Sequence, residues 1–124
     1  MKFKIDTREK FHVITINQSS LAANMTADLN NCLLPLLQND VRNVVLNLKD
    51  IKNIDIAAAE NLVKLQQMYY EQNASFVVCE LQKELEGTLE EISLLEMMNI
   101  TPTESEAADI IMMEEIEREL LDEE

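Results

Sequence analysis

The chain has 124 residues, of which 47% are hydrophobic and 27% charged, and its formal net charge is −14 at pH 7. This length and composition are typical of one globular domain, spanning residues 1–124, and exclude a disordered or low-complexity chain. Its apolar runs are far shorter than the roughly 20 residues that span a bilayer, and the opening MKFKIDTREK lacks the apolar core of a signal peptide, so we expect a cytoplasmic protein.

The negative charge is concentrated in the last third of the chain. Residues 1–83 hold nine acidic and nine basic side chains, whereas residues 84–124 hold fifteen acidic side chains and one basic side chain, Arg118. Because such a surface repels nucleic acid and anionic lipid, we expect no binding to either. A solvated helix face and tail is the simpler interpretation of this acidic run, and a surface for a basic partner is the alternative.

Two strands and a helix are predicted in the first part of the chain. MKFKI alternates apolar and charged residues, which is typical of an edge strand, and FHVITI (11–16) is rich in β-branched residues. From about Asn24 the apolar residues recur at helical spacing as far as QND at 38–40. Pro35 should bend or shorten this helix near its last turn.

VVLNL (44–48) is predicted to be a third strand, followed by a turn and a second helix. Asp55 is placed as the N-cap of that helix, where its carboxylate would accept hydrogen bonds from the amides of Ala57 or Ala58. Ala58, Leu62, Leu65 and Tyr69 recur at spacings of four, three and four, which indicates one buried helix face.

SFVVCE (75–80) is nearly all apolar, which favours a fourth strand buried on both faces, as in a parallel sheet. The stripe from Leu85 to Leu95 predicts a third helix, in which Gly87 is a weak point. We expect Asn99 to supply the left-handed residue that closes this helix.

Ile100 and Thr101 form a candidate short strand, after which Thr103 and Glu106 make a capping box for a last helix. Residues 103–124 are therefore expected to be an acidic helix whose end, LDEE, frays. Strands that alternate with helices predict an α/β fold, with a mixed four- or five-stranded sheet packed with about four helices.

No catalytic or metal site is indicated. The only histidine, His12, lies in a strand pattern, where a structural role is the simpler interpretation, and Cys32 and Cys79 lie in apolar segments typical of buried thiols. One glycine cannot build a phosphate loop, and the acid pairs lack a cation cage. We therefore expect neither an enzyme nor a cofactor. Met97, Met98, Met112 and Met113 are interpreted as core filling, with an exposed interaction patch as the alternative.

The segment VVLNLKDIKNIDIAAAENLVKL resembles the signature region of STAS domains, the family of anti-sigma factor antagonists, in which a strand ends at an Asp followed by two hydroxyl residues and a Gly. ITPTESEAADII also resembles the final segment of that family. Asp55 matches the family's Asp. The position that a partner kinase phosphorylates in bacterial antagonists corresponds to Ala57, which has no hydroxyl, so no phosphorylation is expected there.

The resemblance implies a bacterial regulatory protein that binds a protein partner, such as an anti-sigma factor or a related kinase-like regulator, through residues 53–65. The expected contact residues are Asn53, Asp55, Ile56, Ala57, Ala58, Glu60 and Asn61. Two alternatives remain open, namely a structural subunit of a larger signalling or transport complex and a domain that senses a small ligand.

Overall fold

The structure is a computed structural model and describes residues 2–122. Within this range the chain forms seven strands and four α-helices. The strands are β1 (Phe3–Thr7), β2 (Phe11–Ile16), β3 (Ser20–Leu21), β4 (Asn43–Asn47), β5 (Asn53–Ile54), β6 (Phe76–Cys79) and β7 (Ile100–Thr101). The helices are α1 (Thr26–Leu33), α2 (Ile56–Glu71), α3 (Lys83–Glu91) and α4 (Glu104–Asp122).

Five of the strands form one mixed sheet in the order β1-β2-β4-β6-β7. The edge strand β1 is antiparallel to β2, and the other neighbours are parallel. This confirms the predicted α/β fold with a mixed sheet and about four helices. The short strands β3 and β5 pair separately in parallel and were not predicted, because two residues are too few to show a periodicity.

The sheet is covered on both faces. On one face, Ile14, Leu46 and Val78 belong to the larger core, which includes Leu29 of α1 and Leu62 of α2. On the other face, alternate residues of the same strands pack against α4 in a smaller cluster of Val13, Val45, Val77, Cys79, Ala107 and Ile111. All of β6 is buried, as its continuous apolar run predicts.

The ends of α1 and α3 show one correct prediction and one wrong one. The α-helical part of the first helix ends at Leu33, and residues Leu34–Gln38 continue as a 3-10 helix with Pro35 in its first turn, so the predicted shortening is confirmed. Asn99 does not close α3. That helix ends at Glu91, and Ser93 has the left-handed conformation, with φ of 60°.

Asn99 has another role, which depends on residues far away in sequence. Its amide nitrogen Nδ2 donates to the hydroxyl of Tyr70 at 2.8 Å, and its backbone N–H donates to Gln66 Oε1 at 2.8 Å. These bonds attach the segment before β7 to α2. No local pattern indicates these bonds, so the sequence alone predicts only a role for Asn99 at the end of α3.

The last helix begins as predicted and continues into LDEE. Thr103 Oγ1 accepts a hydrogen bond from the amide of Glu106 at 3.2 Å, as in the expected capping box. Leu121 and Asp122, the first residues of LDEE, are helical and have exposed side chains. Met1 of the predicted first strand and Glu123 and Glu124 of the predicted tail lie outside the described residues.

The interpretation of the methionines as core residues is wrong for three of the four. Met98 is 8% exposed, whereas the side chains of Met97, Met112 and Met113 are 50%, 40% and 61% exposed. Helical spacing shows that a helix has an apolar face, but it cannot show whether that face packs on the sheet or is exposed to solvent.

Candidate functional site

The turn into α2, residues 53–61, is here called the β5–α2 corner. Its backbone is fixed by the pairing of β5 with β3. The amides of Lys52 and Asn53 donate to the carbonyl of Ser19 at 2.7 and 3.2 Å, and the amide of Asp55 donates to the carbonyl of Leu21 at 3.0 Å. Hydrogen bonds on consecutive residues leave this entrance to the helix little freedom to move.

Asp55 occupies the N-cap position of α2, and its backbone is extended, with φ of −77° and ψ of 150°. Its side chain, however, makes no hydrogen bond to the amides of the first helical turn. The expected bonds from Ala57 or Ala58 are therefore a wrong prediction. Asp55 Oδ2 instead accepts a hydrogen bond from the amide of Ala23 at 2.9 Å. Ala23 opens a 3-10 helix, so its N–H has no partner within that helix, and the carboxylate satisfies it.

The residues around Asp55 divide between the surface and the core. The side chain of Ile56 is 59% exposed, and Asn53, Ala57 and Glu60 are exposed as well. Ala58 is 0% exposed and belongs to the main core. A fully buried methyl group cannot touch a partner. Ala58 therefore does not belong among the expected contact residues.

Asn61 lies at the edge of the corner and is half-buried. Its Nδ2 donates to Asn30 Oδ1 at 2.9 Å, and Asn30 Nδ2 donates back to Asn61 Oδ1 at 3.3 Å. This reciprocal amide pair joins α1 to α2. The structure therefore places Asn61 in a contact between two helices of the chain, beside the exposed surface and not at its centre.

His12 has structural partners on both ring nitrogens. Nε2 lies 2.8 Å from the carbonyl oxygen of Val41, and Nδ1 lies 2.9 Å from the hydroxyl of Thr7. Because a carbonyl oxygen only accepts, Nε2 carries the proton and Nδ1 accepts from the hydroxyl. Both nitrogens of this 6% exposed ring are therefore used within the fold.

The surroundings of Cys32 and Cys79 make both thiols unreactive. Burial raises the pKa of Cys79 to about 12, with further contributions from the nearby carboxylates of Glu80 and Glu104. Burial also raises the pKa of the half-buried Cys32. Since the thiolate is the nucleophilic form of cysteine, neither side chain is activated at neutral pH.

Among residues 2–122, no three His, Cys, Asp or Glu side chains come together as metal ligands, and no helix is both long and apolar enough to cross a membrane. A cleft of about 380 Å³ lies between the β1–β2 turn and α4, and its lining includes Arg8, Lys10 and Glu104.

Comparison with known proteins gives matches to a family and to solved structures. The sequence matches no curated protein. An anti-sigma factor antagonist from Mycobacterium paratuberculosis shares the fold with a TM-score of 0.75 at 10% identity, over 89% of this chain and 92% of that chain. RsbS from Moorella thermoacetica, solved as a serine-to-glutamate variant, gives 0.73 at 15% identity, over 90% and 95%.

A chain of the stressosome, described as a signal integration and transduction hub, has a TM-score of 0.66 at 16% identity and matches over 87% of this chain and 95% of that chain. Identities this low show a common fold and no more. The family model of the STAS domain, however, matches residues 2–107, which is most of the sequence. The chain therefore belongs to the STAS domain family.

Proposed function

We propose that this STAS protein is a non-catalytic regulatory module that docks a protein partner through the β5–α2 corner. The observation that carries the proposal is the exposed pair Ile56 and Ala57 on a corner fixed by hydrogen bonds, where Ile56 is 59% exposed. A large apolar side chain on a rigid turn, with polar Asn53 and Glu60 nearby, matches the apolar centre and polar rim of protein interfaces.

Ala57 makes this docking independent of phosphorylation at its position. It is the second residue of α2, and its methyl group offers no oxygen for a phosphoryl group. A phosphate there would add close to two negative charges next to the amides of the first helical turn and would change both local hydrogen bonding and partner affinity. Without a hydroxyl, the corner keeps one chemical state, and we propose that the partner is bound constitutively.

Asp55 contributes to the corner mainly through its position. Its carboxylate joins the start of α2 to the 3-10 helix that begins at Ala23 and so holds these two parts of the surface together. A surface whose parts are already held in place loses less conformational entropy when it binds.

The proposed partner is an anti-sigma factor or a related kinase-like regulator, and the proposed setting is transcription control in a bacterial cytoplasm. The support is family membership together with the fold shared with an anti-sigma factor antagonist. The complex would form stoichiometrically and without turnover. A structural role in a larger assembly is the second candidate, because a chain of the stressosome has the same fold.

Affinity capture from the native cells tests both candidates. The tagged chain is compared with Ala57→Glu, which places a bulky charge on the corner, and with Gln67→Glu, which adds one negative charge at an exposed site further along α2. The proposal expects an anti-sigma-type ATPase that is recovered with the parent chain and with Gln67→Glu but lost from Ala57→Glu. A multi-subunit particle that all three recover would favour the structural role and contradict docking at the corner.

A further inference from the structure

Helix α4 has two apolar faces, of which only one is covered. Ala107 and Ile111 are buried against the sheet. On the opposite side lie Met112, Met113, Ile116 and Leu120, which are 40%, 61%, 55% and 61% exposed and are here called the α4 stripe. Met112, Ile116 and Leu120 recur every four residues, and Met113 precedes Ile116 by three, so the four side chains share one side of the helix. A row of large exposed apolar side chains is typical of an interaction surface.

The covered side of α4 is anchored by polar bonds that hold the stripe in place. Glu114 Oε1 accepts hydrogen bonds from the hydroxyl of Tyr70 at 2.8 Å and from the hydroxyl of Ser75 at 2.6 Å. Arg118 Nη2 donates to the same Ser75 oxygen at 2.7 Å, and Asn43 Nδ2 donates to Glu115 Oε1 at 2.7 Å. The stripe is therefore a rigid surface on the fold and not a loose tail.

The charges around the stripe decide what can cover it. Residues 104–122 contain eight acidic side chains and one basic side chain, Arg118, which is bonded to Glu115 at 3.1 Å on the covered side. The exposed neighbours of the stripe include Asp109, Glu117 and Glu119. A second copy of this chain would bring the same carboxylates face to face, which costs free energy, and an anionic lipid surface would be repelled.

Basic side chains lie near both ends of α4, and at the C-terminal end Arg42 lines a cleft with Glu119 and Leu121. Arg8 and Lys10 of the β1–β2 turn line the cleft of about 380 Å³ that also contacts Met112, with Glu9 between them. Along Ile116 and Leu120 the exposed charges of the helix are carboxylates. A partner that covers the whole stripe therefore needs apolar side chains in a row and positive charges beside most of that row.

We propose that the α4 stripe binds an amphipathic helix of a partner protein, with apolar side chains at i, i+3/i+4 and i+7 and with Lys or Arg at the flanking positions. Such a helix in a groove or along another helix is a common form of peptide recognition. The surface is separate from the β5–α2 corner, since α2 and α4 pack on opposite faces of the sheet. A chain with both surfaces joins two proteins.

The test uses a fluorescently labelled synthetic helix of about 21 residues, with Leu along one face and Lys and Arg beside it. A second peptide has Glu at the flanking positions, and a third has the first composition in scrambled order. Binding to the full chain is measured by fluorescence anisotropy at low salt and at about 0.5 M salt, where charge attraction is screened. The variant Ile116→Asp is compared with Ile5→Asp, which makes the same change at a 49% exposed site on the edge strand.

The proposal expects the basic amphipathic peptide to bind, with an affinity reduced about tenfold or more by Ile116→Asp and unchanged by Ile5→Asp. Ile116→Asp makes the chain more negative, so simple charge attraction would strengthen binding in this variant. Helical content and thermal unfolding confirm that both variants fold. Equal binding of the scrambled or acidic peptide, binding of none of the peptides, or self-association of the chain that Ile116→Asp abolishes would each overturn the proposal.

Discussion

The Oδ2 atom of Asp55 accepts a hydrogen bond from the amide of Ala23 at 2.9 Å, across 32 positions of sequence. Because this bond joins the start of α2 to the segment after β3, Asp55→Ala should lower the free energy of unfolding by about 1 to 2 kcal/mol. Urea denaturation measures the change. The matched variant Asp50→Ala, at an exposed position of the preceding loop, should stay within about 0.5 kcal/mol of the parent. Equal losses in both variants would contradict the role of the bond.

Ala57 and Ala58 are neighbours with opposite environments, since Ala57 is exposed and Ala58 is 0% exposed. Ala58→Leu forces three extra carbon atoms into a filled core and should cost about 1 to 3 kcal/mol of unfolding free energy. Ala57→Leu places the same atoms in solvent and should change it by less than about 0.5 kcal/mol. Thermal or chemical denaturation of the pair checks which alanine faces outward. The reverse order would place the exposed surface of the corner on the wrong side of the helix.

Gly87 lies in the middle of α3, and a Cβ atom added there would meet no heavy atom within 4 Å. Its backbone is helical, so alanine fits without strain and reduces the conformational freedom of the unfolded chain. Gly87→Ala should therefore raise the free energy of unfolding by about 0.5 to 1 kcal/mol. An unchanged or lower stability in denaturant would show that α3 does not tolerate a side chain at this position.

The order of the main elements can be predicted from sequence because their apolar periodicity is local. Pro35 also acts locally, on the residues directly before it, and its effect on α1 is correctly predicted. The partner of Asp55 and the bonds of Asn99 depend on residues about 30 positions away, and no pattern within one helix indicates them. The exposure of Met112 depends on α4 being an outer layer, which only the assembled fold reveals. For the site, the position of the corner and the burial of Ala58 are predictable, because the helical spacing already places Ala58 on the buried face. The pairing of Asn61 with Asn30 is not predictable, because the two residues are 31 positions apart.

Stability should fall in alkaline solution. Burial, then the hydrogen bond and charge of Glu114, raise the pKa of Tyr70 to about 12, and burial raises that of Cys79 to about 12. In the unfolded chain these groups lose their protons near their ordinary values of about 10 and 8.5. The folded state therefore binds more protons than the unfolded state in this range, and the free energy of unfolding decreases as pH rises from about 9 towards 12.

Chemical denaturation at constant ionic strength, with a reductant present, measures this decrease between about pH 8 and pH 11. Tyr70→Phe removes one of the groups with a raised pKa, so the decrease should be shallower in this variant. Cys79 and the buried Tyr69, whose pKa is also raised by burial, remain and keep part of the slope. A slope that is the same in Tyr70→Phe would show that the Tyr70 hydroxyl does not contribute to it.

If the β5–α2 corner binds a protein partner in its unmodified state, the purified chain should bind the captured partner with an affinity that depends on the side chain at position 57. Isothermal titration compares the parent chain, Ala57→Glu and Gln67→Glu, with circular dichroism to confirm that all three fold. We predict one-to-one binding for the parent without any phosphorylating treatment, an unchanged affinity for Gln67→Glu, and a loss of about tenfold or more for Ala57→Glu. Equal affinities for all three chains would contradict docking at this corner.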